Sequence, residues 1–466
     1  MFFVEVILPL SLAKTFTYRV SEAEFHFVKN GMRVVVPFGK SKMYTALIID
    51  KHQNEPTLYE AKEIDQILDE KPIVTQFQIT HWQWIASYYM CAIGDVYRGA
   101  MPSALLLESE TIISQKHSVT IEEAELTDDE FLVYQALQHQ SSLRIQDITA
   151  ILNKKNVFPV IQKLIDKQVL VLHEEVQELY KPKLVRYVRL HSKYDLNSGL
   201  GDLLESLKSA AKQREIVLAY FQLSAKDKQP ISVKQLVETA NSSSAILKAL
   251  IEKQIFEDYF IQEDRVNFIG NPQENALELS DAQQEAFNQI QTSFTTQEVC
   301  LLHGLTSSGK TEIYIKLIEE QLASGKQVLY LLPEIALTTQ LVGRLRTYFG
   351  DKVGVYHSKY STNERVELWK QVLEQSPKAQ IVIGARSALF LPFSNLSLIV
   401  VDEEHEQTFK QVDPAPRYHA RDAAIVLANY HKAKVLLGSA TPSIESYFNA
   451  QSDKYGLVEI TERYGN

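Results

Sequence analysis

Gly304-Leu-Thr-Ser-Ser-Gly-Lys-Thr311 sets two glycines, a lysine and a closing hydroxyl at the spacing of a phosphate cradle. Before it, Glu298-Val-Cys-Leu-Leu-His303 has the length and apolar content of a buried strand. After it, Glu312 to Leu322 carries Ile313, Leu317, Ile318 and Leu322 at helical spacing, and Gly325 stops the pattern. A glycine loop joining a strand to a helix turns backbone N–H groups and the helix N-terminus toward phosphate oxygens. Gly304, Thr306, Ser307, Ser308 and Gly309 would then surround the phosphates of a nucleoside triphosphate, Lys310 would add a point charge, and the Thr311 hydroxyl would ligate Mg²⁺. A glycine-rich turn that holds nothing is the alternative, and the strand-loop-helix context weighs against it.

The metal side of such a site needs a carboxylate, and Leu398-Ile-Val-Val-Asp-Glu-Glu-His405 offers one at the end of an apolar run. Asp402 would hold Mg²⁺ through water, and Glu403 would orient the attacking water. Alone, residues 402–406 read equally as a solvated acidic turn; the cradle on the same chain tips the reading toward a site. Gln327-Val-Leu-Tyr-Leu-Leu-Pro-Glu334, Gln380-Ile-Val-Ile-Gly-Ala-Arg-Ser387 and Lys434-Val-Leu-Leu-Gly-Ser-Ala-Thr441 are further β-rich runs ending in polar or small residues. Strands alternating with helical stretches predict a parallel sheet whose carboxyl-end loops gather the functional groups on one edge.

In that order, Gly-x-Thr-x-x-Gly-Lys-Thr, Asp-Glu-Glu-His and Ser-Ala-Thr resemble the first, RecA-like motor lobe of superfamily 2 helicases. Flanking residues narrow the resemblance: Leu332-Pro-Glu-Ile-Ala-Leu-Thr338, His357-Ser358 with Glu364-Arg365, Gly384-Ala-Arg-Ser-Ala-Leu-Phe390 and Arg417-Tyr-His-Ala-Arg-Asp422 resemble the PriA family of primosomal replication-restart helicases. The resemblance implies an ATP- and Mg²⁺-dependent 3′-to-5′ DNA helicase. It would act in the cytoplasm on forked and single-stranded DNA, beside single-stranded-DNA-binding protein and other primosome proteins. It also implies that Gln283 reads adenine, although Ala282 stands where the family carries an acidic residue, and Gln284 remains an alternative. Arg386 and residues 333–338 would line a DNA path. His405, Ser439 and Thr441 would couple nucleotide state to that path; each of these sheet-end loops also has a purely structural alternative. Residues 408–421 mix Phe409, Tyr418 and His419 with Lys410, Arg417 and Arg421, resembling the family's aromatic-rich DNA-sensing loop. The competing reading is that these aromatics pack on the lobe.

The amino-terminal third carries a separate resemblance. Met1-Phe-Phe-Val-Glu-Val-Ile-Leu-Pro-Leu lacks a basic leader and places Glu5 inside the apolar run, so it reads as a strand and not a secretion signal. Thr15-Phe-Thr-Tyr18, Gly31 to Lys40 and Met43 to Asp50 predict a small antiparallel barrel-like domain that helical residues 74–90 close. This block is similar to the PriA 3′-end-binding domain. The resemblance puts Phe16, Tyr18, Gly39 and Lys62 in the end-binding pocket, with Thr17 where the family has an acid; cross-strand packing is the alternative for the two aromatics. A neutral threonine accepts a hydrogen bond from a 3′-hydroxyl less strongly than a carboxylate.

Between these ends, Leu126 to Gln138, Ile145 to Leu152 and Val157 to Lys167 read as helices, followed by a strand at Val169 to Leu172. That order predicts a winged helix. Leu164-Ile-Asp-Lys-Gln-Val169 is echoed by Leu250-Ile-Glu-Lys-Gln-Ile255, which predicts a second such unit. The acidic run 121–130 reads as solvated or partner-facing, and the basic run 181–189 as an extended connector. The expected organisation is a β-rich 3′-end-binding domain over 1–107, a winged-helix domain over 108–180, a connector with a second winged-helix-like unit over 181–270, and an α/β P-loop lobe over 271–466, each domain large enough for its own core.

A net charge of −10 means that DNA contact has to come from local basic patches. Cys91 and Cys300 in apolar surroundings fit a reducing compartment, and no apolar run reaches membrane-spanning length. The PriA family continues with a zinc module and a second motor lobe; no Cys-x-x-Cys pair occurs here, so no zinc is expected on this chain. The stop at Tyr464-Gly-Asn466 suggests a fragment or truncated product, which alone would bind ATP weakly and hydrolyse it poorly. Two other functions fit the same residues: a fork-binding recruitment module with an idle nucleotide site, and another superfamily 2 translocase such as a restriction motor.

Overall fold

The computed structural model describes residues 1–39, 42–106, 109–115, 126–154, 157–167, 169–176, 183–194, 200–226, 230–262, 277–334, 336, 339–357 and 360–462. They fall into two compact units, one of residues 1–180 with 268–466 and the other of residues 181–267.

In the larger unit, seven parallel strands form the lobe sheet in the spatial order Val353–Tyr356, Ile381–Gly384, Gln327–Leu331, Leu396–Asp402, Lys434–Ser439, Val299–Gly304, Gly456–Ile460. Val328, Leu329, Leu331 and Val400 are fully buried, as strands covered on both faces require. Strand Lys434–Ser439 lies between the cradle strand and the strand ending in Asp402. The Ser-Ala-Thr turn therefore leaves the sheet flanked by both halves of the nucleotide site.

The amino-terminal residues form a five-stranded antiparallel sheet in the order Phe16–Val20, Phe2–Ile7, Lys42–His52, Arg33–Phe38, Gln66–Ile67. Helix Gln76–Tyr88 follows, opened by a capping box in which Thr75 and Gln78 satisfy each other's backbone N–H groups. This helix does not close a separate core. The sheet has a buried cluster of its own around Val4, Val34 and Ile48, but Trp82 and Ile85 of the helix share another with Leu389, Phe409 and Leu427 of the P-loop lobe. Polar contacts pin the seam: Gln78 Nε2 donates to the Phe390 carbonyl (2.6 Å) and Trp369 Nε1 to the Ile73 carbonyl (2.8 Å). His81 Nε2 lies 2.9 Å from the Ala423 carbonyl.

The first winged helix contains helices Asp128–His139, Ile145–Leu152 and Phe158–Asp166. Among the described residues, its strand Leu170–Val176 pairs back with Ser109–Gln115, ahead of the helices, and with no following strand. Of the acidic run, 121–125 lie outside the described residues. Glu130 is not solvated: it is 1% exposed, accepts from the Thr127 N–H (2.9 Å) and pairs with Lys167 (2.8 Å).

In the smaller unit, Leu184–Leu190 is the middle strand of a three-stranded sheet and not a connector. Val188 turns into the core, while Arg186 and Arg189 pair across the ladder with Asp258 and Glu257. Those cross-strand pairs hold the basic run in the sheet. Helices Val233–Thr239 and Ser244–Glu252 precede strand Phe256–Gln262, so the echo of residues 164–169 in 250–255 does mark the turn from a helix into a strand.

Candidate functional site

The glycine loop leaves strand Val299–Gly304 and enters helix Lys310–Ala323. Gly309 has φ +80, and an added Cβ would meet Gln283 Nε2 at 2.0 Å, so only glycine fits there. Ser307 also adopts positive φ, at +64. Ser308 is 2% exposed and its Oγ has no hydrogen-bond partner among the described residues. A buried unpaired hydroxyl in a loop of this shape fits an oxyanion ligand. Lys310 Nζ donates to the Gly304 carbonyl (2.9 Å) within its own loop.

Thr306 to Glu312, Arg344, Asp402 and Glu403 line one cavity of about 510 Å³. Lys310, Thr311 and Asp402 thus line a common space. Glu312 is tied there by an ion pair with Arg344. Both Asp402 oxygens are held: Tyr314 donates to Oδ1 and Tyr330 to Oδ2, each at 3.1 Å. Burial, with the neighbouring Glu403 charge, holds the Asp402 carboxyl above its ordinary value, while the two phenols and Lys310 pull it back down. Glu403 occupies the left-handed region at φ +49, a strained backbone of the kind that collects at working residues. A threonine hydroxyl and a phenol-braced carboxylate are hard oxygen donors of the kind Mg²⁺ takes.

Gln283 sits against the cradle, but its amide is engaged at both ends. Oε1 accepts from the Ser280 N–H (2.8 Å) and Nε2 donates to the Gly309 carbonyl (3.3 Å). An adenine contact would require one of these bonds to be given up. Gln284 is exposed and bonds Asn288.

The three residues expected to couple nucleotide state to the DNA path come together. His405 Nδ1 lies 2.8 Å from Ser439 Oγ, and its Nε2 lies 3.4 Å from Thr441 Oγ1.

Residues 408–421 depart from the stacking expectation. Phe409 and Tyr418 are fully buried; Tyr418 packs on Phe390 and donates to the Arg386 carbonyl (3.1 Å), so neither ring has a face open to a base. Arg421 is also buried, pairing with Glu404 (2.9 Å) and Asp422 (2.8 Å), and its charge is not free for phosphate. The packing alternative is the one realised for these three. Arg417 is exposed beside Asp413. Arg386 turns back to the Thr408 carbonyl (3.0 Å). Residues 335, 337 and 338 of the expected DNA-lining segment, and Ser358, lie outside the described residues.

Phe16, Tyr18, Gly39 and Lys62 line a second cavity of about 320 Å³, together with Thr17, Pro37, Phe38, Tyr59 and Glu60. Thr17 Oγ1 donates to Glu5 Oε2 (2.8 Å), its N–H donates to the Tyr59 hydroxyl (2.9 Å), and Lys62 Nζ donates to the Gly39 carbonyl (2.9 Å). Glu60 and Tyr59 come from a polar loop without periodic pattern, so sequence reasoning passed over them.

Residues 5–102 match the PriA 3′DNA-binding domain, 110–175 a winged helix domain, 185–262 the winged helix domain of PriA helicases in Bacteroidota, and 280–449 the DEAD/DEAH box helicase family. The replication restart protein PriA of Bacillus subtilis is 32% identical over 472 residues, covering 99% of this chain and 56% of its own. That of Haemophilus influenzae is 33% identical over 470 residues, covering 99% and 52%. The chain belongs to the PriA family. It spans about half the length of the curated PriA relatives it matches. Among solved structures, RecG bound to a three-way DNA junction overlays 41% of the chain and 25% of its own, with a TM-score of 0.31 at 20% identity, too little to bear on function. Within this PriA-family lobe the residues missed by sequence were Tyr314, Tyr330 and Glu404. Tyr330 could have been found as the one side chain with a polar tip inside the apolar run 328–332.

Proposed function

We propose that this chain binds and hydrolyses ATP in its P-loop lobe to drive movement along DNA, in the 3′-to-5′ direction, while its amino-terminal cavity takes the 3′ end of a strand at a fork. The observation that carries the reading is the single cavity edged on one side by the phosphate cradle and on the other by Asp402 and Glu403. Backbone N–H groups of the cradle and the Ser308 hydroxyl would bind phosphate oxygens, and Lys310 would swing from the Gly304 carbonyl to the phosphates. Thr311 and, through water, Asp402 would hold Mg²⁺, which would supply charge neutralisation at the transferring phosphoryl group. Glu403 stands next to Asp402 with its carboxylate partly exposed to the cavity, where it would hold a water in line. The relatives' name, replication restart protein, agrees with a role in restarting replication; the proposal adds, from the sequence resemblance, stalled or forked DNA as the substrate, single-stranded-DNA-binding protein and other primosome proteins as partners, and the cytoplasm as the location.

The test is ATP turnover of the full chain with and without forked DNA. DNA should stimulate turnover, and Lys310→Ala should lower it by about 100-fold or more while leaving DNA binding intact. Equal turnover in the variant, or DNA binding with no turnover in either protein, refutes the motor reading; the second result points to a recruitment module.

A further inference from the structure

Glu404 is wholly buried, yet its carboxylate is the meeting point of three segments. Oε1 accepts from the Ser443 N–H (2.7 Å). Oε2 accepts from Arg421 Nη1 (2.9 Å), Ser443 Oγ (3.0 Å) and Ser446 Oγ (2.8 Å). Ser443 caps helix Ile444–Gln451, directly after the Ser-Ala-Thr turn; Arg421 lies in the first turn of helix Ala420–His431, directly after the segment 407–419. The next residue, His405, reaches Ser439 and Thr441 at the other end of the same turn. Adjacent residues of one acidic loop therefore grip both ends of residues 439–443. One of the two also holds the helix that follows the segment 407–419, whose exposed groups include Lys410 and Arg417.

We infer that Glu404 is the positioning residue through which the segment 407–419 and the nucleotide site communicate. A single residue separates it from Asp402, so a displacement of helix Ala420–His431 cannot occur without moving the metal-side carboxylates or breaking a buried ion pair. Breaking that pair leaves an uncompensated charge inside the lobe, so the elements move together. A buried apolar side chain would fill the space without transmitting direction. The inference rests on the proposed reading that the lobe binds both ATP and DNA.

The test measures coupling and not turnover. The affinity of the full chain for a fluorescein-labelled oligothymidylate is determined with and without a non-hydrolysable ATP analogue and Mg²⁺, and by linkage the same factor applies to nucleotide affinity with and without DNA. Wild type should show a coupling factor of about five or more. Glu404→Gln should bring that factor close to one, with each ligand's affinity in the other's absence kept within about twofold. Ser446→Ala, which removes one donor from the same oxygen and unpairs no charge, should lower the factor part of the way; it decides the matter if the glutamine variant does not fold. Unchanged coupling in both variants, or a loss of coupling that simply tracks a loss of nucleotide affinity, overturns the inference. Failure of wild type to bind either ligand overturns the underlying reading, whereas binding of both ligands without coupling overturns the inference alone, which separates the two failures.

Discussion

A methyl group at position 438 tests how the metal-side carboxylate is held. A Cβ on Gly438 would stand 1.7 Å from the Tyr314 hydroxyl, 2.8 Å from its ring carbon and 3.4 Å from Asp402 Oδ1. The phenol reaches Asp402 by passing over this residue, so Gly438→Ala has to push Tyr314 off the carboxylate. Losing a hydrogen bond to a charged group costs about 1.5–3 kcal/mol, and the overpacking about 1–3 kcal/mol more. Tyr314→Phe alone incurs the first cost only. In the double variant the shortest clash disappears with the hydroxyl, so its total should fall short of the summed single effects by roughly 1–3 kcal/mol. Cys300 supplies the assay. It is buried in the strand paired with the one carrying Gly438, and burial pushes its thiol up to about 12, so it reacts only when the sheet opens. In a Cys91→Ser background, the labelling rate of Cys300 should rise about a hundred-fold for Gly438→Ala, as about 3 kcal/mol requires. Effects that add within about 0.5 kcal/mol would show that Gly438 and Tyr314 are not in contact and that Asp402 is held some other way.

His81 makes the seam between the amino-terminal helix and the lobe sensitive to acid. Burial lowers its imidazole from 6.5 to about 4 in the folded chain, so between those values only the unfolded chain takes up the proton; the stability is complete above pH 6.5 and falls as pH drops. Thermal or denaturant unfolding should lose about 2 kcal/mol between pH 8 and pH 5 through this residue, and His81→Gln should flatten that difference. His431, its ring tilted against Phe77 at the same seam, is also held near 4 by burial and should contribute in the same direction. At the amino-terminal cavity, Lys62→Ala should weaken binding to DNA with a free 3′ end by about five- to ten-fold and reduce the dependence of the binding constant on salt by about one counterion, read by anisotropy across a salt series. Equal affinity in both proteins would remove the cavity from the DNA-binding reading.

What could be read in the sequence had either a fixed local spacing or a strong period. The cradle and the acidic motif are loops at strand ends, where residue type and chain order nearly determine position, and the structure lays both against one cavity. Exposure in the segment 408–421 was not legible. Phe409 and Tyr418 look like stacking rings in composition, but whether a ring faces solvent or core depends on what packs over it, and here Phe390 and the shared core do so. The same limit hid the seam. Trp82 and Ile85 lie at helical spacing that promises some apolar partner, but nothing local says that the partner is a helix more than three hundred residues away, as the bond from His81 to Ala423 shows.

Apart from Gln327 at a strand's amino end and Glu367 in helix Thr362–Leu373, the buried polar groups of the lobe gather toward one edge. Asp402, Glu404, Ser439 and the phenols of Tyr314 and Tyr330 all lie at the carboxyl ends of neighbouring strands or on the helix that starts at the cradle. Each carries a desolvation cost that an apolar residue would avoid, and a buried ion pair such as Glu404–Arg421 adds little net stability over a hydrophobic replacement. Polar pairing is directional, however, and apolar packing is not. A lobe that only had to stay folded could fill this edge with branched aliphatics, as it does deeper along the same strands. Residues that must hold one carboxylate at a set angle to a phosphate cradle, and shift it when a neighbouring helix shifts, need bonds with a fixed direction, and that requirement accounts for where the lobe tolerates buried charge.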